Sequence, residues 1–476
     1  MSIAKQFLKD STIYSLQPIL VQALTFVLLP IYTNYLSPAE YGNMQYVIMI
    51  ASFFKTVVGL GLGSSFWKYT TKSSEYGEKD VVKAFVLLQV YLSASLFLLY
   101  VLIDMAFVNS LLFYCIVIAL GTEIVSVHYK TGQVLYRAKF QTKKYIATTF
   151  IYSALYLSLN ALFIIVFKMG LIGVFYALLI TNVVLSIITF VQFRDIFSGG
   201  VFKKVLAKEM VQYGVPMMIG NLVFMFLNLS DRFLLKTLVD DEALGYFSYG
   251  SKFGNLLNVF VVTPFFMAWN PLRWQIYERP DGKEIFAKFN NYLMVLTPIF
   301  GGLFCAAVPL AMEILTVNSE YLNGIKIVSF ITFAQVFYCF YYFNSMGLMF
   351  ENKTKYQSII IAAAAIVSIG VNCIMLPLYG FYGAGLASLL SYFFLYIVTA
   401  IYSQKVYSIK RNYVFEGIQI LFCFALAGAF FLGENYSHLY ASLFVLGAIV
   451  IFTGINYILG FFNPKEMLQM IKKLKK

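Results

Sequence analysis

Apolar windows of about 20 residues recur from one end of the chain to the other, and about 20 residues is the helix length that crosses the hydrocarbon core of a bilayer. Of 476 residues, 60% are hydrophobic and only 12% charged, with a mean hydropathy of +0.77. A soluble chain of this length needs far more charged surface. The windows do not alternate in strand-length pieces, which argues against a barrel. The pattern predicts an all-α polytopic membrane protein of about fourteen spans. They fall near 11–36, 43–66, 84–105, 109–128, 145–167, 171–193, 215–238, 243–268, 289–315, 325–349, 357–378, 381–402, 414–432 and 439–462. The first segment lacks a small-residue cleavage site and is expected to be a retained span. No connection is long enough for a separate domain, so function must lie in the helix bundle and its mouths.

The formal net charge is +13. In a soluble chain such a surplus would point to nucleic acid, but here the bases gather in alternate connections. Lys68, Lys72, Lys79 and Lys83 share one, and Lys130, Arg137, Lys139, Lys143 and Lys144 the next. Later clusters run through Arg194–Lys208, Arg273–Lys288, Lys353 and Lys355, and Lys405–Arg411, ending in the tail Lys472–Lys476. The positive-inside rule then places both termini in the cytoplasm, and the expected location is a bacterial cytoplasmic (inner) membrane. No nucleic-acid partner is expected. The cysteines Cys115, Cys305, Cys339, Cys373 and Cys423 stand singly in apolar segments, and His128 and His438 are isolated. Neither metal nor disulfide spacing occurs, and no metal or cofactor is expected.

The chain also resembles itself. QTKKYIATTFIYSALYLSLNALFIIVFKMGLIGVFYALLIT (141–181) and NKTKYQSIIIAAAAIVSIGVNCIMLPLYGFYGAGLASLLS (352–391) share a basic entry and an Asn deep in the span, Asn160 and Asn372. A glycine turn follows in each, at Gly170 and Gly173 and at Gly380, Gly383 and Gly385. A tight helix-to-helix turn needs left-handed backbone and close approach. A weaker pairing sets 18–42 against 216–247, each opened by Pro and closed by an acidic turn ending in Gly. Two related halves are expected: an N-terminal lobe 1–193, a cytoplasmic linker 194–214 and a C-terminal lobe 215–402. A C-terminal helix pair with a basic tail occupies 403–476. Repeated halves are typical of transporters, with the site at the half–half interface.

SDRFLL (230–235) followed by LGYFSYGSK (244–252), with LPLYGFYGAGLASLLS (376–391) and the early YLSPAEYG (35–42), resembles the polysaccharide-transport (O-antigen flippase type) family. That family belongs to the multidrug/oligosaccharidyl-lipid/polysaccharide exporter superfamily, and the resemblance covers nearly the whole chain. It implies two pseudo-symmetric six-helix lobes plus a C-terminal pair around a central cavity that opens alternately to either side. The implied cargo is a lipid-linked (polyprenyl-pyrophosphate) oligosaccharide or polysaccharide repeat unit. The implied partners are that substrate, membrane lipids, and a glycan polymerase or glycosyltransferases of the same pathway. The working form is expected to be a monomer.

The intramembrane charges give an independent reading. Lys55, Asp231, Arg232 and Lys252 lie within expected spans, with Glu123 and Glu313 nearer the ends of theirs. Intramembrane bases usually line an aqueous path. Lys55, Arg232 and Lys252 are therefore the candidates for holding an anionic headgroup by charge-assisted bonds. Adjacent residues on one helix do not face each other, so Asp231 is expected to pair across a helix interface. Asp231, Glu123 and Glu313 are candidates for ion coupling or for locking helices. Gln22 and Asn221 are candidate polar contacts to cargo, although in-span amides also join helices. Three bases against one mid-span acid favour an anion as cargo. A cation-coupled small-molecule (multidrug) antiporter, the alternative within the superfamily, would want surplus carboxylates.

A membrane glycan polymerase or ligase would need a sizeable outward loop, and the outward connections offer only Glu40, Asp240–Glu242, Glu320 and Glu434 with His438. GLGLG (59–63) lacks the preceding strand of a dinucleotide fingerprint, and GYFSYGSK (245–252) has Ser where a phosphate loop needs Lys. Gly250 and Gly254 read better as small residues that let helices approach. The chain is expected not to be an enzyme.

Overall fold

The computed structural model describes Gln22 and residues 24–70, 75–103, 110–434 and 437–459. The first part of the expected first span and the basic tail lie outside these residues. The described chain is helical almost throughout, with no strand among the described residues. Among the described residues, eleven helices are long and apolar enough to cross a membrane, or twelve if one bent pair counts as a single span. Two of the remaining expected spans fall on α1 (24–35), the described part of the first, and on the run Asp241–Tyr277, which a π-helical segment at Asn258–Val262 interrupts. The all-α membrane fold expected from the apolar windows is the one the chain adopts.

The chain divides into two compact units, Met1–Arg232 and Phe233–Lys476. Unit 1 contains α1, α2 (Pro38–Gly59), α3 (Leu62–Thr70), α4 (Glu78–Ile103), α5 (Leu111–Val125) and α6 (Val127–Ala138). It continues through α7 (Thr142–Ala161), α8 (Gly170–Gln192), α9 (Arg194–Phe197) and most of α10 (Lys204–Leu238). YLSPAEYG proves to be a helix start. The Ser37 hydroxyl accepts the Glu40 N–H (3.2 Å), and the Glu40 carboxylate accepts the Ser37 N–H (2.9 Å), with Pro38 in the first turn. This reciprocal cap satisfies two backbone donors that have no partner inside the helix. In the second half Asp240 does the same work, accepting the Ala243 N–H (2.6 Å) at the head of α11. The acidic turns shared by the two halves are thus helix caps.

The segment leading into α10 is built into unit 1. Leu206 and Met210 pack with Leu62, Phe66, Val81, Phe85, Leu135 and Tyr136. Ser65 donates to the Met210 carbonyl (2.7 Å), and Asp80 accepts the Val201 N–H (2.8 Å) while pairing with Lys203 (2.7 Å). The boundary at Arg232 accordingly falls inside α10, after the helix has left this core.

Unit 2 contains α11 (Asp241–Gly254), α12 (Thr263–Tyr277), α13 (Gly282–Leu315), α14 (Val328–Asn344) and α15 (Met346–Phe350). It ends with α16 (Thr354–Tyr379), α17 (Phe381–Val406), α18 (Tyr413–Gly433) and α19 (His438–Ile458). α14 reads VSFITFAQVFYCFYYFN and has no polar stripe. A helix apolar all round belongs inside a bundle, and α14 is packed by α11, α13, α17 and α18. The pair α18 and α19 lies against α13, and α18 also touches α14.

The glycine turns behave as expected. Gly170 (φ +57°) and Gly380 (φ +55°) each take left-handed backbone at the turn between paired helices. Gly254 lets α11 approach α14, since a Cβ there would stand 2.6 Å from the Ile331 Cβ. Gly254→Val is therefore expected to lower the unfolding midpoint in detergent, by the roughly 1–3 kcal/mol that overpacking costs. An unchanged midpoint would show that α11 can shift freely.

Candidate functional site

One group of ionised side chains in unit 1 lies around a break in the fourth span. α5 and α6 meet at Ser126 with a bend of 41°. The sequence placed the end of this span at 128 and Lys130 in a loop. Instead the helix runs on to Ala138, and Lys130 lies in its second segment. Lys130 forms an ion pair with Glu123 across the break, with both side chains partly exposed. Ser186 of α8 staples the same break, donating to the Val125 carbonyl (2.7 Å) and accepting the Tyr129 N–H (3.3 Å). Lys55, exposed on α2, is close enough for its charge to be felt at Lys130. The mid-span lysine thus shares the surroundings of a second base and one acid.

A column of tyrosines and amides continues inward from this group. The rings of Tyr129 and Tyr152 stack at 5.7 Å, and those of Tyr152 and Tyr156 at 6.0 Å. Tyr152 is hydrogen-bonded to Asn182 and lies within Coulombic reach of Glu123. Tyr32 donates to the fully buried Asn160 (3.1 Å), which returns a bond to the Tyr156 carbonyl (2.8 Å). Buried tyrosines tolerate an apolar interior only when their hydroxyls find partners, and here the partners are one another and the amides.

At the end of unit 1, Asp231 and Arg232 correct the expectation that neighbours on a helix do not meet. The Arg232 guanidinium turns back along α10, donating to the Asn228 carbonyl (3.1 Å) and lying 3.5 Å from Asp231 Oδ1. The same carboxylate oxygen accepts the Arg232 N–H (2.7 Å). Long helical side chains point toward the N-terminus, which brings the two charges together. Asp231 is buried and Arg232 half-buried. Of the remaining candidates, Lys252 is half-buried on α11, Asn221 is exposed on α10, and Gln22 is half-buried.

Unit 2 holds two charged knots that the sequence reading did not assemble. At one end of α18, Arg411 lies 3.4 Å from Glu416, both side chains being almost fully buried. Asn290 donates to Glu416 (3.3 Å), Asn344 donates to Asn290 (3.3 Å), and Arg411 donates to Asn344. At the other end, His438 is not isolated. Its Nδ1 is bonded to Glu434, and its Nε2 lies 3.9 Å from Glu313. Glu313 therefore reads as a neighbour of the α18–α19 turn.

Burial pushes the Glu434 carboxyl above its ordinary range, against the pull of His438 and Lys326. A carboxyl raised in this way binds its proton more tightly when folded. Stability is gained as pH falls through the folded value and lost as pH rises. The unfolding midpoint should therefore rise as pH is lowered from neutral toward the ordinary carboxyl range, and rise less in Glu434→Gln. Identical slopes would remove Glu434 from the account.

The fold of the chain is shared with solved membrane proteins. Lipid II flippase MurJ in an inward closed conformation matches with a TM-score of 0.68 at 16% identity, over 94% of this chain and 98% of that one. A multidrug resistance MATE family transporter of the MOP superfamily matches in its inward-facing form with a TM-score of 0.62 at 14% identity, over 83% and 97%. Its outward-facing form gives 0.60 at 15%, over 85% and 97%. At these identities the likeness establishes the shared fold.

The family model described as polysaccharide biosynthesis protein matches residues 7–277, more than half of the chain, and the chain belongs to that family. The resemblance read from SDRFLL, LGYFSYGSK and YLSPAEYG is thereby borne out. Uncharacterized membrane protein MJ1068 of Methanocaldococcus jannaschii is 22% identical over 276 residues, 56% of this chain. The chain spans about half the length of this curated relative, 52%.

Proposed function

We propose that this protein moves a lipid-linked (polyprenyl-pyrophosphate) oligosaccharide or polysaccharide repeat unit across the cytoplasmic membrane by alternating access. It acts as a carrier and not as an enzyme. The observation that carries the reading is Lys55, a base in the middle of an apolar span whose charge is felt at Lys130 of the Glu123–Lys130 pair. An ionised lysine at such depth is costly unless it serves a polar path, and a surplus of bases suits a diphosphate. Arg232 and Lys252 supply further positive charge. The family's link to polysaccharide biosynthesis and the fold shared with a lipid II flippase agree with this cargo. The basic connections then face the cytoplasm, with both termini.

The test is reconstitution into liposomes loaded with a defined polyprenyl-pyrophosphate oligosaccharide. Translocation is read by the access of a membrane-impermeant glycan-modifying enzyme. Protein-dependent exposure of the sugar is expected. Export of organic cations, with the lipid-linked sugar left in place, would favour the antiporter reading instead.

A further inference from the structure

We propose that the Glu123–Lys130 pair across the break in the fourth span is an exchangeable anion site. A phosphate oxygen of the cargo headgroup takes the Lys130 ammonium, with Lys55 beside it, and the released Glu123 carboxylate takes up one proton. This deepens the flippase reading and rests on it.

Four features of the site support the exchange. Residues seven apart are separated by about 10 Å along a straight helix, and the bend at Ser126 is where this pair closes. The pair is a property of the break, and broken membrane helices are where carriers place ion and substrate sites. Its charges are also unequal. Lys130 feels the charge of Lys55 as well as that of Glu123, so two bases act where there is one carboxylate, a surplus that suits an incoming anion. Both members are reachable, with 33% of the Lys130 and 18% of the Glu123 side chain exposed. Finally, Glu123 has somewhere to go once Lys130 leaves it. Tyr152 stands nearby, held by Asn182 and by stacking on Tyr129 and Tyr156, and its hydroxyl oxygen can accept from a protonated carboxyl.

The step balances without any covalent change. The bond between Lys130 and Glu123 is replaced by one between Lys130 and phosphate, and one proton from water moves to a Glu123 oxygen. The groups that set its pH dependence are Glu123 on α5, Lys130 on α6, Lys55 on α2 and Tyr152 on α7, with the neutral Asn182 and Ser186 on α8. A like-charged neighbour favours the protonated carboxyl, and the arriving phosphate is such a neighbour.

The probe is farnesyl pyrophosphate, titrated calorimetrically into the purified full-length protein at pH 6 and pH 8, with farnesol as the tail-only control. Repeating the titration in buffers of different ionisation enthalpy counts the protons taken up. Wild type should bind with net proton uptake, and its affinity should weaken toward pH 8. Glu123→Gln removes the competing charge at nearly constant shape. It should bind about tenfold tighter at pH 8, the effect of one charge-assisted contact, with less proton uptake. The ligand's own titration cancels in the comparison. Lys130→Gln should weaken binding about tenfold or more, and Lys130→Arg should restore it. If Glu123→Gln and Lys130→Gln both bind like wild type while Arg232→Ala loses binding, the exchange is wrong and the flippase reading survives. If wild type binds farnesyl pyrophosphate no better than farnesol, both fall.

Discussion

Replacing Arg232 by Ala is expected to stop translocation of a lipid-linked sugar while the protein remains in the membrane at its normal level. Arg232 is positioned before any cargo arrives. Its guanidinium is held on the Asn228 carbonyl (3.1 Å) and steadied by Asp231 (3.5 Å), at the last residue of unit 1. A side chain fixed in this way has already lost much of its rotamer freedom, so binding a phosphate orders little that was loose. Removing one partner of a desolvated, hydrogen-bonded charge pair costs 2–5 kcal/mol, so translocation should fall by about a hundredfold or more. Arg232→Lys keeps the charge but loses the planar fork that matches two phosphate oxygens, and should fall in between. Wild-type rates in Arg232→Ala would sink the assignment. Asp231→Asn separates that residue's two readings. A helix lock predicts a lower unfolding midpoint with ion dependence retained. A coupling group predicts the reverse, an unchanged midpoint with the dependence of transport on pH or sodium lost.

Lys55 was legible because a lone charge stands out in an apolar window, and its charge is felt at Lys130. Lys130 was not, for a physical reason. VHYKTGQVLYRA has no long apolar run, so the hydropathy window closes at its start and the remainder looks like one more basic loop. Its buried side chains Val127, Thr131 and Leu135 recur every four residues. That helical period is the signal that could have extended the span. The Asp231–Arg232 contact was missed because neighbour rules consider where helix positions face and neglect how far an arginine can turn back. The turns at Gly170 and Gly380 were readable from either half, since only a narrow backbone conformation closes so short a connection. Arg411 and Glu416 sit five residues apart around the helix cap Asn412, which accepts the Phe415 N–H (3.1 Å). In sequence they resemble any basic connection followed by a helix start. What distinguishes them is burial by α13 and α14, which are distant in sequence.

Glu416→Ala should destabilise unit 2 by about 3–5 kcal/mol, the cost of breaking a buried ion pair by removing one partner. Glu416 lies 3.4 Å from Arg411, and accepts from Asn290 on α13 and from Tyr396 on α17. Arg411 in turn donates to Asn344 on α14. Without the carboxylate, the guanidinium keeps its buried position, with only 5% of its side chain exposed, and loses its countercharge. The penalty is that of the unmatched charge more than of the lost contact. The double variant Arg411→Met with Glu416→Ala should therefore recover most of the loss, because it leaves no ion behind. A double-mutant cycle on the unfolding free energy measures this coupling. Proteolysis at the α17–α18 connection gives a local readout. Cleavage should appear in Glu416→Ala and subside in the double variant, because the knot is what ties α18 to α13, α14 and α17. Additive effects of the two substitutions would mean that apolar packing alone holds the C-terminal pair. A large coupling would instead make the knot the anchor against which that pair is held.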